Sequence, residues 1–181
     1  IAFINGFRAI FFIPYALSVL VIVYVFKFIF MNPLPELGKA LCIKWLSTSL
    51  FTNEQLSWIP IVFLAFWHVS AYSVLIYLAG LQGIPKELVE AAAIDGAGPV
   101  TRFKKITWPL LAPAFTIMTV LLMIGGLKIY DPVKVMTNGG PGVGTTTLAF
   151  DVVGTGIEAG AVGYGAAKAV TMFIMIAIVY L

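Results

Sequence analysis

The stretch AIFFIPYALSVLVIVYVF, residues 9–26, lies between Arg8 and Lys27 without one charged side chain and stays apolar to Phe30. About 20 apolar residues wound as a helix match a hydrocarbon core roughly 30 Å thick, so this reading makes lipid the main solvent of the fold. Three more stretches read the same way: residues 58–81, 109–127 and 164–181. In hydrocarbon every backbone N–H and C=O must be paired within the segment, and the period-two alternation of barrel strands is missing, so the spans are expected to be helices. The expected fold is all-α: a polytopic membrane helix bundle with about four spans in residues 1–181.

Composition agrees. The 181 residues are 61% hydrophobic and 10% charged, and the mean hydropathy is +1.03, values far from those of soluble domains. The net charge of +3 comes from dispersed basic residues. No polybasic run or recognition motif accompanies them, so nucleic acid is not an expected partner. Cys42 is the single cysteine, which excludes an intrachain disulfide and a cysteine-rich metal site. With one histidine and no clustered carboxylates there is no nucleophile–base pair and no metal shell, so enzymatic chemistry is not expected and no metal site is assigned. The chain begins at Ile1 and carries no signal peptide with a basic n-region, and is expected to be a piece of a longer protein.

Charge placement gives the orientation. Lys86, Arg102, Lys104 and Lys105 crowd the short loop between the second and third spans, whereas the longer flanking loops hold mainly Lys39, Lys44 and Lys134. The positive-inside rule therefore puts residues 83–108 in the cytoplasm, with Arg8 on the same side. Residues 31–57 and 129–163 are left outside, with Trp45 and Trp58 as interfacial anchors. Lys27 and Lys168 are expected to snorkel to the nearer interface.

The cytoplasmic loop reads IPKELVEAAAIDGAGPVTRFKKITWP, residues 84–109. Pro85 suits a first helical position, and Glu87 complements the positive helix end. Three alanines, at positions 91–93, leave one face smooth enough for another protein to approach. Gly96 and Gly98 are expected to end this helix, Pro99 to start a second one, and Pro109 to open the third span.

On these residues the chain resembles the permease subunits of ABC importers, whose EAA signature runs Glu-Ala-Ala, three residues, Gly, nine residues, Ile, one residue, Leu, Pro. Glu90, Ala91, Ala92, Gly96, Ile106 and Pro109 stand in register, and Trp108 replaces the usual Leu. The fuller string is similar to the carbohydrate branch of that family, which takes up maltose and glycerol-3-phosphate. A second stretch, YDPVKVMTNGGPGVGTTTL, residues 130–148, resembles that branch's external pattern through Tyr130, Asp131, Thr137, Gly139, Gly140, Pro141 and Leu148. Val153, Gly156 and Ile157 depart from the pattern, and GYGAA at residues 163–167 matches again. Gly139 and Gly144 with Thr145 and Thr146 also mimic the glycine spacing of a phosphate-binding P-loop. The lysine is absent, no strand precedes, and Pro141 removes an N–H, so nucleotide binding is rejected in favour of a turn-rich loop.

Polar groups inside a span cost about 2.5–3.5 kcal/mol when charged and central, so they tend to face a bundle interior or a watery path. His68 and Tyr72 lie one turn apart in the second span, and Tyr15 and Ser18 pair similarly in the first, beside a kink expected at Pro14. Rings can stack on a sugar's C–H face while hydroxyl and imidazole groups exchange hydrogen bonds with it. These four are the candidate substrate-lining residues. The resemblance implies tyrosines facing solute at Tyr15 and Tyr72, a leucine where His68 stands, and asparagines where Gly126 and Ile129 stand.

The resemblance also implies an assembly of the ABC type-1 permease kind in the inner (plasma) membrane. Glu90, Ala91, Ala92, Asp95, Gly96, Ile106 and Pro109 would form the coupling loop docked on a separate ATPase pair holding ATP and magnesium, with no cofactor in this chain. A second permease subunit, a solute-binding protein outside the membrane and lipid are the other expected partners. The expected function is inward passage of a sugar or sugar-like solute by alternating access. Rival readings are an ABC importer for amino acids, peptides or phosphate, which the Gly-Gly-Pro pattern disfavours, an ATPase-independent secondary carrier, and a membrane-bound enzyme.

Overall fold

The computed structural model describes residues 15–180, and Pro14 and Arg8 lie outside them. The described helices, in chain order, are α1 (Val19–Met31), α2 (Pro33–Ala40), α3 (Trp58–Gln82), α4 (Lys86–Ile94), α5 (Pro99–Arg102), α6 (Trp108–Leu110), α7 (Ala112–Leu127), α8 (Asp131–Met136), α9 (Leu148–Val153) and α10 (Val162–Tyr180). Wider π-helical turns join α5 to α6 over Phe103–Thr107 and extend α9 over Gly154–Glu158. No strand occurs among the described residues.

Four segments are long and apolar enough to cross a membrane: Val19–Ala40, Trp58–Gln82, Ala112–Met136 and Val162–Val179. Their outer faces carry large bare side chains such as Phe28 and Phe173, as a lipid-facing surface does. The second and fourth spans fall within two residues of their expected bounds. The first and third are corrected. Within the described residues the first span runs from Val19, after an extended Ser18 with φ −59° and ψ 130°, and its expected beginning at residues 9–14 lies outside them. It runs past Phe30 to Ala40, bending at Asn32, where Pro33 cannot continue the N–H ladder. The third span does not open at Pro109, which sits inside the short α6. It opens at Ala112, where Pro113 falls in the first turn and its missing N–H leaves no bond unmade.

The two stretches read as external loops form a structured cap at one end. Ile22, Val23 and Phe30 of α1, Leu50 of the linker, Ile61 and Leu64 of α3, and Val133 and Met136 of α8 make a single buried cluster. Beside it Phe26 packs on Trp67 at 5.0 Å between ring centres. Since lipid is as apolar as these side chains, van der Waals fit and polar contacts, more than water exclusion, hold such a junction. Lys27 does not snorkel: its Nζ donates to the Val135 carbonyl at 2.6 Å, tying α1 to α8. Lys168 likewise turns inward, pairing with Asp151 at 2.7 Å, donating to Thr155 Oγ1 at 3.0 Å and standing 4.7 Å over the Tyr164 ring. This network lies at the α9–α10 junction. Gly156 and Gly165 meet there so closely that a Cβ on Gly165 would collide with the Gly156 backbone. The departure at Gly156 is therefore matched by the glycine it faces.

Candidate functional site

Residues 83–111 stand at the opposite end from the cap, because α3 carries the chain across in 25 residues, about 37 Å of helical rise. Here α4 starts after Pro85, which caps the helix from outside instead of occupying its first turn. Its C-terminus is a Schellman closure: Ala97 N–H donates to the Ala92 carbonyl at 2.9 Å and Gly96 N–H to that of Ala93 at 3.1 Å. Gly96 has φ +79°, a conformation that costs a side-chain-bearing residue about 1–2 kcal/mol. Gly98 does not end this helix but caps the next, with Pro99 in its first turn.

No residue of α4 is buried. Glu90 and Ala91 are exposed, Ala92 is half-buried, and Asp95 and Gly96 are exposed. Ile94 is 87% exposed at the tip. Of the other elbow residues, Ile106 is half-buried and Pro109 exposed. The arrangement presents a short helix with an apolar tip and three carboxylates, Glu87, Glu90 and Asp95, to whatever lies beyond this end. From the elbow a ladder of rings climbs into the bundle: Phe103 to Trp108 at 6.1 Å, Trp108 to Phe115 of α7 at 4.6 Å, and Phe115 to Tyr77 of α3 at 4.9 Å.

Tyr77 also lines a groove of about 1140 Å³ between α3 and α7. Along α3 the groove runs from Trp58 to Tyr77, about 28 Å by helical rise and close to the hydrocarbon thickness. Gly125 and Gly126 of α7 form part of the far wall, and Thr145–Thr147 close the cap end. Of the candidate solute residues, His68 lines this groove, and its Nε2 is buried with no hydrogen-bond partner among the described residues. Tyr15 and Tyr72 lie beside it and not in its wall. Tyr15 stacks on Tyr72 at 4.9 Å and tilts against His68 at 5.7 Å, so these three are brought together. Ser18 is exposed at the start of α1, and its side chain makes no capping bond.

The polar stripe that does face the groove is Ser70, Ser73 and Tyr77, which the sequence reading missed. Their spacing of three and four is the signal that could have found them. Both serines donate to their own helix, to the carbonyls of Phe66 and Val69, which leaves oxygen lone pairs to accept from a guest.

At the cap end the glycine-rich turn closes on itself. Thr137 and Thr145 hydroxyls share a hydrogen bond of 2.7 Å, Thr145 donates to the Gly140 carbonyl and Thr146 to that of Gly139. Thr147 donates to the Ile129 carbonyl at 2.8 Å and caps α9 by accepting from Phe150 N–H. The threonines that imitate a phosphate loop thus serve the turn.

Against known proteins, a family model described as "Binding-protein-dependent transport system inner membrane component" matches residues 3–181. Among relatives, the multiple sugar-binding transport system permease protein MsmF of Streptococcus mutans is 38% identical over 173 residues, 96% of this chain and 60% of its own. The sulfoquinovosyl glycerol transport system permease protein SmoG of Agrobacterium fabrum is 41% identical over 123 residues, 68% of this chain and 40% of its own. Among solved structures, a bacterial ABC transporter involved in importing the acidic polysaccharide alginate superposes with a TM-score of 0.81 at 14% identity. That match covers 98% of this chain and 63% of the solved one, and at such identity it speaks to the fold.

Proposed function

The chain belongs to the binding-protein-dependent transport system inner membrane components, and from that premise we propose that it is a permease subunit of an ABC importer moving a sugar or sugar-like solute inward. It is a multi-pass inner-membrane protein, and it spans 60% of the length of its relative MsmF. The sugar reading is supported by relatives named for multiple sugars and for starch degradation products.

The observation that carries the mechanism is the exposed α4 elbow at the end of the bundle remote from the cap. Glu90, Ala91, Ala92, Asp95, Gly96, Ile106 and Pro109 form the face on which a separate ATPase subunit docks, one copy of a pair that binds ATP and magnesium. A second permease subunit completes the path, and a solute-binding protein delivers cargo at the cap. Uphill import requires the ATPase to favour one permease conformation over the other, since a ligand shifts an equilibrium only by its differential affinity. The elbow is where that preference enters, and the groove beside His68 is this subunit's share of the solute path.

Gly96→Asp tests the docking role. It forces a side chain into φ +79° and breaks the elbow while the spans insert. The expected result is a membrane-inserted subunit that no longer co-purifies with its ATPase and supports no uptake. Normal uptake by this variant, or uptake that persists without the ATPase, contradicts the assignment.

A further inference from the structure

Resting on the sugar reading above, we propose that the cargo is an uncharged saccharide, selected against anionic sugars in part by the groove between α3 and α7. Among the described residues that line it there is no Asp, Glu, Lys or Arg. Around the cap, Lys27 is engaged by the Val135 carbonyl, Lys134 by Glu158 at 2.6 Å and Lys168 by Asp151, while Lys39 and Lys44 of the first connecting segment are exposed and are not lining residues. Lys128 is exposed at the end of α7 and is not a lining residue. A carboxylate, sulfonate or phosphate entering such a groove loses water and meets no opposite charge, which is far costlier than moving a hydrogen-bonded neutral group.

What the groove does offer suits hydroxyls. The His68 ring lines it, and Ser70, Ser73, Tyr77 and Thr147 add neutral oxygen atoms. Val62, Leu121 and Leu122 supply apolar wall for a sugar's C–H face. The family is not confined to neutral cargo, since one relative is named for sulfoquinovosyl glycerol, whose sugar bears a sulfonate. The charge of the cargo is therefore a choice that each member's own residues make.

The test uses the full-length subunit with its own sister permease, ATPase pair and binding protein in proteoliposomes. Initial ATP-dependent uptake is measured for labelled neutral mono- to tetrasaccharides and for galacturonate oligomers of the same lengths. The best neutral probe is expected to exceed every anionic probe by at least about ten-fold. Gly126→Lys then places an ammonium in the groove, where a Cβ meets nothing within 4 Å. It is expected to shift the neutral-to-anionic ratio by about ten-fold or more toward anions. Ser73→Arg makes the same test from α3 if the first variant does not assemble.

An anionic probe carried as fast as the best neutral one overturns this inference and leaves the sugar reading intact. An unchanged ratio in an assembled cationic variant overturns the role given to the groove. Uptake of no saccharide at all overturns the sugar reading and this inference together.

Discussion

Lys168 stands in the last span because its charge is answered: Asp151 accepts at 2.7 Å, Thr155 at 3.0 Å, and the Tyr164 ring lies beneath it. Its side chain is 26% exposed and that of Asp151 45%, so water screens part of the pair. Lys168→Met is expected to lower stability by about 1 kcal/mol. Lys168→Met with Asp151→Asn should lose less than the sum of the single changes, as thermal unfolding in nanodiscs would record. Additive losses would show that the two residues act independently. The sequence reading had this lysine snorkel because its partner lies 17 positions earlier, just before the departures at Val153, Gly156 and Ile157. Periodicity along a single helix cannot report a contact between two. Gly156 was opaque for the same reason: its meaning is the backbone of Gly165.

Among elements, α3 carries two polar stripes, and they make different predictions. His68 and Tyr72 form the ring cluster with Tyr15, and His68 also lines the groove that Ser70, Ser73 and Tyr77 face. Ser73→Phe is expected to fill the groove and cut uptake at least about ten-fold, with the subunit still assembled. Tyr72→Ala is expected to change solute preference or affinity with assembly intact, by releasing the rings that hold His68. Unchanged kinetics in Tyr72→Ala would assign that tyrosine to packing. At the elbow, Trp108 stands where the family pattern has Leu and touches both Phe103 and Phe115. Trp108→Ala removes the middle of the ring ladder, and ATP hydrolysis is expected to continue while uptake per ATP falls. Proportional loss of both activities would place Trp108 in docking instead. The elbow was readable as a turn because proline, alanine and glycine act locally through dihedral angles and missing donors. The groove was not, since it exists only when α7 and the threonine turn come to rest beside α3.

For the whole molecule, hydropathy identified four spans because lipid demands about 20 apolar residues in each helix. Its misjudged ends follow from backbone chemistry that hydropathy ignores, namely Pro33 after Asn32 and Pro113 in the first turn of α7. The structure then adds what no hydropathy window contains. Both long connecting segments fold onto one another as a cap at one end, leaving the elbow bare at the other. From that polarity we propose that the bare end faces the cytoplasm and that an ATPase covers it. Maleimide accessibility tests this most directly, with a cysteine at Ala93 and Cys42→Ser in the full-length importer. The expected result is no labelling by an impermeant maleimide in intact cells, complete labelling in inside-out vesicles stripped of the ATPase, and protection when the ATPase is restored. Labelling of intact cells, or no protection by the ATPase, would contradict it.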